Sequence, residues 1–354
     1  MSSFPAGPVL VIGCGLIGTS VGLALSARGA IVHLQDALPA NVELAVSRGA
    51  GTAAAPASDP VLVVVAVPPA MVVDVVAAAL DIWPSSLVTD VASVKSGIQA
   101  AISLLPGASR YVGGHPMAGS ERSGPMAASA QLFEGRPWAV TPAPATEPAV
   151  RDTVVDLALL VGAVPMIMDA AAHDRAVALV SHVPQVMSVL TAARLNDAPE
   201  AHLDLAGPGL RDVTRIAGSD TSLWLDILGS NAADVRLVLE QVRDDLDRVI
   251  ETLGHDEEGL VEVLESGRRG TTLIPGKHGT MPTDLESVYV QVADTPGQLS
   301  RLMADAGESG VNIEDLRLDH DLGRAVGLAE IAVAAGLSST LVEALIARGW
   351  SAYR

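Results

Sequence analysis

Residues 9–18 read V-L-V-I-G-C-G-L-I-G, an aliphatic run that passes directly into a glycine-rich turn. The run predicts a buried strand, and the Ala- and Leu-rich segment after it predicts a helix to about Ala27. Between them the glycines follow the pattern G-x-G-x-x-G, and Asp36 closes the next predicted strand 18 residues after Gly18. This context predicts a dinucleotide-binding turn, with a glycine turn in an ordinary α/β protein as the alternative.

The residues of this turn have separate physical tasks. Gly13 permits the tight turn, Gly15 lets the backbone approach a pyrophosphate, and Gly18 lets helix and strand pack closely. The free N–H groups at the helix start attract phosphate. The charge of Asp36 suits ribose hydroxyls and repels a 2′-phosphate, which favours NAD over NADP. The expected cofactor contacts are Gly13, Gly15, Leu16, Ile17, Gly18, Asp36, Val67, Pro68 and Ser93.

Strands and helices alternate through the first part of the chain, which predicts a parallel sheet with right-handed crossovers over residues 1–169. The predicted strands after the second are 61–67, 87–90, 111–113, 138–141 and 164–168. Beyond Asp169 helical periodicity replaces them over 170–196, 210–217 and 222–253, which predicts an all-helical domain, 170–266. A Gly-, Thr- and Pro-rich linker, 267–284, then leads to a β-α-β-β-α-β pattern over 285–354, typical of a ferredoxin-like α+β domain.

Composition limits the class of protein. With 354 residues, 49% of them hydrophobic, the chain can build two or three cores. A net charge of −19 argues against nucleic-acid binding, and it means that an anionic substrate needs a locally placed arginine. The single cysteine, Cys14, excludes an intramolecular disulfide and a cysteine-based zinc cluster, so no metal site is expected. The start lacks a secretory signal and the apolar runs are short, so we expect a cytoplasmic protein that is not in a membrane.

Two polar segments follow predicted strands of the sheet domain. Residues 89–95, T-D-V-A-S-V-K, place Ser93 beyond a strand end, where it could bind substrate or nicotinamide or cap a helix. Residues 113–121, G-G-H-P-M-A-G-S-E, place His115 on a glycine- and proline-bounded loop. Neutral imidazole suits the removal of a hydroxyl proton near pH 7, whereas a structural hydrogen bond is the plainer role for one histidine.

A third polar group lies in the helical domain. Ser181 and Gln185 are one turn apart and share a helix face, which Pro184 should kink. Arg211 and Arg215 are also four residues apart. An arginine can hold a substrate carboxylate by two hydrogen bonds, but spacing alone fits surface ion pairs with Asp212 or Asp220 as well.

The chain resembles the prephenate/arogenate dehydrogenase family from about residue 9 to 253. The resemblance is carried by G-C-G-L-I-G, D-V-A-S-V-K, G-G-H-P-M-A-G-S-E-R-S-G, H-D-R-A-V-A-L-V-S-H-V-P and R-D-V-T-R-I-A in the family's order. It implies that His115 is the catalytic histidine, that Ser93 supports it, and that Arg215 binds the side-chain carboxylate of the substrate. It also implies pocket-lining or gating positions at Ser120, Glu121, His173, Ser181 and Asp212, and a helical dimerisation domain that closes the cleft.

The implied reaction is the NAD-dependent oxidative decarboxylation of prephenate to 4-hydroxyphenylpyruvate, in tyrosine biosynthesis. One departure leaves the substrate open, because the family often has a second histidine in S-H-x-P-H where this chain has Gln185. The substrate's side chain lies there, with a ketone in prephenate and an ammonium in arogenate, and an amide can serve either. Arogenate dehydrogenase is therefore the alternative.

The C-terminal segment resembles an ACT domain, through D-T-P-G-Q-L at 294–299 and V-N-I at 311–313. This implies that an amino acid such as tyrosine binds at a dimer interface, near Asp294, Pro296, Gly297 and Asn312, with a purely structural appendage as the alternative. Two other functions are alternatives. Another NAD oxidoreductase, such as a β-hydroxyacid dehydrogenase, usually places a catalytic lysine on its helical domain. This class is disfavoured because residues 170–253 contain no lysine. A non-catalytic sensor of NAD and amino acids is the alternative outside enzymes.

Overall fold

The computed structural model describes residues 4, 6–119, 122–274, 285–320 and 326–354. The chain divides into two compact units, residues 1–244 and 245–354.

A seven-stranded sheet forms the centre of the first unit, in the order β2-β1-β3-β4-β5-β6-β7. Its strands are β1 (Val9–Ile12), β2 (Val32–Gln35), β3 (Leu62–Val65), β4 (Leu87–Asp90), β5 (Tyr111–Pro116), β6 (Pro137–Thr141) and β7 (Val164–Ile167). The predicted parallel sheet is confirmed for β1 to β5, but β6 runs antiparallel to β5. A parallel return needs a crossover, and the described part of the β5–β6 connection holds only the short 3₁₀ turn Pro125–Ala127.

Helices cover both faces of this sheet, so its strands are apolar on both sides. They are α1 (Leu16–Ser26), α2 (Pro39–Ser47), α3 (Val72–Ile82), α4 (Ser96–Ile102) and α5 (Pro148–Leu160). Because side chains alternate along a strand, Val9 and Val11 enter one apolar cluster and Leu10 enters the other. The carboxyl ends of β1 to β5 therefore share one edge, which carries the site described below.

A helical layer completes the first unit. It contains α6 (Ala170–Val177), α7 (Val183–Ala193), α8 (Glu200–Leu203), α9 (Pro208–Thr214), α10 (Thr221–Ser230) and α11 (Ala232–Thr252), the last two turns of which fall in the second unit. The wide π-helical turn Ala178–His182 joins α6 to α7. It comes just before Pro184, which has no N–H for the helical ladder, so the predicted distortion takes this form.

The predicted single helix over 222–253 is wrong, because α10 ends before Asn231 and α11 starts after it. The buried Asn231 side chain donates to the Asp174 carbonyl at 2.8 Å. A side-chain bond of this kind across the layer explains why the backbone departs from helical geometry here, since it holds Asn231 in place.

One continuous helical stretch, Ala170–Asp197, is long and apolar enough to cross a membrane by length and composition. A single stretch of this kind is weak evidence, since core helices pass the same test. The stretch also carries the buried polar side chains His173, His182 and Gln185, which are costly in lipid. The uninterrupted apolar runs of the sequence are shorter than this stretch, and the expected absence of a membrane stays a prediction.

The second unit contains α12 (Glu257–Thr271) and a four-stranded antiparallel sheet in the order β11-β8-β10-β9. Its elements are β8 (Leu285–Ala293), α13 (Gln298–Gly307), β9 (Asp315–His320), β10 (Val326–Ala334), α14 (Ser338–Ala347) and β11 (Ser351–Tyr353). This is the predicted ferredoxin-like arrangement. The predicted linker is wrong at its start, because α12 continues to Thr271. The acidic Glu257 and Glu258 in the first turn of α12 and the basic Arg268 and Arg269 in its last turn suit the helix dipole. Residues 275–284 lie outside the described residues.

Candidate active site

The glycine turn combines two packed glycines with one that faces open space. A Cβ on Gly13, whose φ is +103°, would lie 2.3 Å from the Ala66 carbonyl oxygen. A Cβ on Gly18 would lie 1.9 Å from the Gly13 carbonyl oxygen. A Cβ on Gly15 would meet no described atom within 4 Å. Because Gly15 also caps the N-terminus of α1, the turn leaves room for a diphosphate beside the backbone N–H groups at the start of that helix.

Asp36 lies at the end of β2 and is tied to the same turn. Its Oδ2 accepts from the Cys14 backbone N–H at 2.6 Å, and its Oδ1 accepts from the Leu38 N–H at 2.8 Å. The carboxylate is thus held in place and only partly buried, which fits a ribose. Burial, and then the charge of Asp36, raise the pKa of the Cys14 thiol to about 12, so this thiol is not a nucleophile.

Other expected cofactor positions lie at the same sheet edge. Leu16 and Ile17 form the half-buried start of α1, and Val67 and Pro68 follow β3. Together with Gly15 and Asp36 they fit a dinucleotide laid across the carboxyl ends of β1 to β3.

A cavity of about 520 Å³ lies in the first unit and is lined by both layers. Ser93 and His115 line it from the sheet, and Ser181, Gln185 and Arg215 line it from the helices. The structure therefore brings these five predicted residues together. Asp212 is exposed on α9 and is not among the residues that line the cavity, and Ser120 and Glu121 lie outside the described residues.

His115 occupies β5 and contacts a second histidine behind it. Its Nδ1 lies 2.8 Å from Nε2 of His173, with the two rings edge to face. Burial lowers the pKa of His115 well below its ordinary 6.5, and electrostatic interactions with His173, Lys95 and His182 lower it further. The imidazole is therefore neutral at pH 7 and can accept a proton.

Asp174 continues the chain of contacts from His173. Its Oδ1 accepts from Nδ1 of His173 at 2.8 Å and from the Lys95 backbone N–H at 2.9 Å, and its Oδ2 accepts from the Ser96 N–H at 2.7 Å. Burial opposes ionisation, but hydrogen bonds from His173, Ser96 and Lys95 outweigh it and lower the pKa of Asp174 to about 2. Asp174 is thus a fixed anion that joins α6 to the start of α4.

A buried ion pair supports the loop that carries Ser93. The Lys95 ammonium contacts Asp90 at the end of β4, and Tyr111 donates to the other oxygen of Asp90 at 2.7 Å. Gly113 is needed beside this pair, because a Cβ there would lie 2.5 Å from the Thr141 hydroxyl and 3.0 Å from Cδ of Lys95. The pair fixes the ends of β4 and β5, from which Ser93 and His115 approach the cavity.

The far side of the cavity holds Gln185 and His182. The amide nitrogen of Gln185 donates to the Ile216 carbonyl at 3.0 Å. A carbonyl only accepts, so this contact fixes which end of the amide is nitrogen and leaves Oε1 as the free acceptor. Nδ1 of His182 lies 3.2 Å from the Asn231 amide nitrogen. Burial lowers the pKa of His182 to about 4, against the opposing charge of Asp174.

Sequence reasoning missed several residues of this site. Asp174 and Lys95 lie within segments that carried the family resemblance, yet their contacts with each other join positions 79 residues apart. Arg48, at the end of α2, donates to the carbonyls of Pro125, Met126 and Ala128, in the segment that follows the loop of His115. Nothing local in the sequence indicates this contact.

The predicted effector residues lie in the second unit and are exposed. Asp294, Pro296 and Gly297 form the turn between β8 and α13, where Gly297 has a φ of +89°. Asn312 comes just before β9 and donates to Glu314 at 2.6 Å. Strand register places the end of β8 opposite Val326 and the start of β9 opposite Ala332. A single chain therefore holds the turn and Asn312 at opposite ends of the sheet, so it does not bring the four predicted effector residues together.

Comparison with known proteins identifies the family. One family model, the nucleotide-binding domain of prephenate dehydrogenase, matches residues 21–167, and a second, the dimerization domain of prephenate dehydrogenase, matches residues 169–266. The two matches span more than half of the chain. The chain belongs to the prephenate dehydrogenase family. The predicted family and the predicted enzyme class, a nucleotide-dependent oxidoreductase, are thereby confirmed.

Relatives from the prephenate dehydrogenase family match most of the chain. A probable prephenate dehydrogenase, NovF, of Streptomyces niveus is 39% identical over 316 residues, which are 85% of this chain and 87% of that protein. The crystal structure of prephenate dehydrogenase from A. aeolicus, in complex with hydroxyphenyl propionate and NAD⁺, has a TM-score of 0.68 at 28% identity. It covers 76% of this chain and 98% of its own. The crystal structure of Synechocystis arogenate dehydrogenase has a TM-score of 0.61 at 25% identity, and the match covers 75% of this chain and 99% of that chain.

Proposed function

We propose that this chain catalyses the NAD-dependent oxidative decarboxylation of prephenate to 4-hydroxyphenylpyruvate. One observation carries the proposal: His115 and Arg215 line the same cavity, next to the sheet edge that bears the glycine turn. A base and a carboxylate-binding group beside a dinucleotide site are what this reaction requires. Family membership and the NAD⁺ bound in the A. aeolicus structure support the choice of substrate and cofactor.

His115 is the proposed base. Its neutral imidazole accepts the proton of the ring hydroxyl while the bound nicotinamide supplies the hydride acceptor. The ring ketone so formed draws electrons from the neighbouring bonds, carbon dioxide leaves, and the ring becomes aromatic. The same imidazole then returns its proton to the phenolate oxygen, so the proton balance closes. Ser93, which lines the cavity beside His115, is the proposed hydrogen-bond support for this hydroxyl.

Arg215 is the proposed site for the side-chain carboxylate. In a chain with a net charge of −19, a guanidinium facing the cavity is the group that offsets the charge of a dianionic substrate. Ser181 and Gln185 line the cavity near it, and His173 supports His115 from behind. Ser120, Glu121 and Asp212 remain predicted substrate-gating positions.

Arogenate is the second candidate substrate, and the orientation of Gln185 favours it. Its amide nitrogen is used by Ile216, so the oxygen is the end left for a ligand. An acceptor oxygen suits the ammonium of arogenate better than the ketone of prephenate. The likeness to the Synechocystis arogenate dehydrogenase supports the same alternative.

We also propose that the chain works as a homodimer in the cytoplasm. The second family model describes a dimerization domain, and the helical layer exposes apolar side chains such as Leu179, Val180, Val189 and Leu190 that a second copy would cover. The separation of Asp294 from Asn312 in one copy suits an effector site completed by a second copy, with tyrosine as the proposed effector.

Absorbance at 340 nm tests the function directly. Purified protein is mixed with NAD⁺ or NADP⁺ and with prephenate or arogenate, and initial rates are compared. We expect reduction of NAD⁺ with prephenate, release of one carbon dioxide per NADH, and much slower reduction of NADP⁺. Faster turnover of arogenate would select the second candidate. Absence of turnover with both substrates would contradict the enzyme and favour a sensor.

A further inference from the structure

A buried polar pair stands directly behind His115. We propose that His173 and Asp174 act as a positioning pair, which holds His115 as the tautomer protonated on Nδ1 and so turns the lone pair of Nε2 toward the cavity. The inference rests on the proposed function only for its catalytic consequence. The tautomer itself is a property of the protein without substrate.

The order of donors and acceptors starts at Asp174. Both carboxylate oxygens already accept backbone N–H groups, from Lys95 at 2.9 Å and from Ser96 at 2.7 Å. An ionised carboxylate can only accept, so the contact of 2.8 Å with Nδ1 of His173 requires the proton to be on that nitrogen. The pKa of Asp174, lowered to about 2, keeps the carboxylate ionised at neutral pH.

The order then passes through the ring of His173. When this imidazole is neutral and protonated on Nδ1, its Nε2 carries a lone pair. The contact of 2.8 Å between this Nε2 and Nδ1 of His115 therefore requires His115 to donate from Nδ1. Nε2 of His115 is left without a proton, and His115 lines the cavity. An imidazole held the other way round would present an N–H and could not act as a base.

The pair is held rigidly. His173 is 1% exposed and Asp174 is 2% exposed, and Asn231 donates to the Asp174 backbone carbonyl at 2.8 Å. Asp174 takes its backbone donors from the segment just after Ser93, while His173 reaches the strand of His115. Such anchoring prevents the ring of His173 from flipping, which would place carbon atoms where Nδ1 and Nε2 make these contacts.

A purely structural role is the competing account, in which the pair only fastens α6 to α4. Two readouts separate the accounts, because fastening alone does not set the tautomer of His115 and does not act on kcat in preference to KM. The matched variants are His173→Phe, which keeps a ring of similar size without an acceptor, and His173→Gln, which keeps an acceptor for the Nδ1 proton of His115.

¹⁵N NMR of the full chain, labelled at histidine and without substrate, reports which ring nitrogen carries the proton, and His115→Asn assigns the signal. We expect protonated Nδ1 and bare Nε2 at His115, with that preference lost in His173→Phe and retained in His173→Gln. In the same variants we expect kcat for prephenate to fall about 10- to 100-fold with Phe, to recover largely with Gln, and KM to change less than about threefold.

Two results would overturn the proposal. One is a wild-type His115 that carries its proton on Nε2. The other is a His173→Phe protein that keeps both the wild-type tautomer and the wild-type kcat. Should His173→Phe fail to fold, the wild-type spectrum and His173→Gln still decide. Should the chain fail to oxidise prephenate, the spectrum still gives the tautomer, so that failure is distinguishable from failure of the proposed function.

Discussion

Nδ1 of His115 lies 2.8 Å from Nε2 of His173, although 58 residues separate them and one is on β5 of the sheet while the other is on α6 of the helical layer. The contact joins the layer that holds the cofactor turn to the layer that holds Arg215. The proposed base His115 and the proposed carboxylate-binding Arg215 thereby line one cavity within the first unit, with His173 behind the base.

Replacing Arg215 by Ala should weaken substrate binding more than turnover. A guanidinium–carboxylate contact contributes about 2–3 kcal/mol, so KM for prephenate should rise roughly 30- to 100-fold with kcat within about threefold. Arg211→Ala is the matched control, because Arg211 is four residues earlier and does not line the described cavity. Steady-state kinetics of both variants decide, and a defect in kcat alone for Arg215→Ala would count against the carboxylate site.

Substitution of the turn glycines should separate folding from cofactor binding. Gly15 has a φ of −76° and open space around its Cβ position. The free energy of unfolding of Gly15→Ala should therefore lie within about 0.5 kcal/mol of the wild-type value. Its methyl group would occupy the space for the diphosphate, so Kd for NAD⁺ should rise at least about 10-fold. Gly18→Ala meets the Gly13 carbonyl and should instead destabilise the protein. Urea unfolding and calorimetric titration measure both, and unchanged NAD⁺ affinity in Gly15→Ala would place the cofactor elsewhere.

The pH profile should show a histidine that stays neutral to unusually low pH. The pKa of His115 is lowered well below 6.5, and a base works only when it is unprotonated. In a plot of log kcat/KM against pH, the acid limb should therefore have its midpoint below pH 6.5. Kinetics from pH 4.5 to 8 with a constant-ionic-strength buffer test this. A limb at or above pH 6.5 would show that burial does not act on the essential base as described.

His182 should make the protein unstable in acid. Its pKa is about 4 in the folded chain and about 6.5 in an unfolded one, so its contribution is complete above pH 6.5 and is lost as pH falls toward 4. The shift corresponds to about 3 to 4 kcal/mol as an upper limit. His182→Gln, which cannot titrate, should flatten the dependence of the free energy of unfolding between pH 7 and 4.5. Equal slopes for variant and wild type in urea unfolding would contradict the assignment.

Local patterns made much of this architecture predictable. The glycine turn, Asp36 and the polar segments around Ser93 and His115 are each contained in a short run of sequence, so the expected edge of the sheet could be located. The reversed direction of β6 could not be predicted, because it depends on how the 20-residue connection, whose described residues hold no crossover helix, returns to the sheet. The break at Asn231 depends likewise on a bond to Asp174, 57 residues away.

The residues behind His115 could likewise be predicted only in part from the sequence. The resemblance assigned His173 to the pocket, whereas the structure places it behind His115 and adds Asp174 and Lys95, which no spacing rule connects. Gln185 was recognised as a departure from the family pattern, but its orientation depends on Ile216, 31 residues away. The sequence singled out Ser93, His115 and Arg215 at the cavity, but it did not single out Asp174 and Lys95 behind them.

Turnover of His115→Asn with prephenate and saturating NAD⁺, measured at 340 nm beside calorimetric titration of NAD⁺, tests the proposed chemistry most directly. Asparagine offers no basic nitrogen, so kcat should fall by roughly 10²- to 10⁴-fold, while Kd for NAD⁺ stays within about twofold because the glycine turn and Asp36 are untouched. A variant that keeps near-normal kcat would contradict the role of the imidazole as the base.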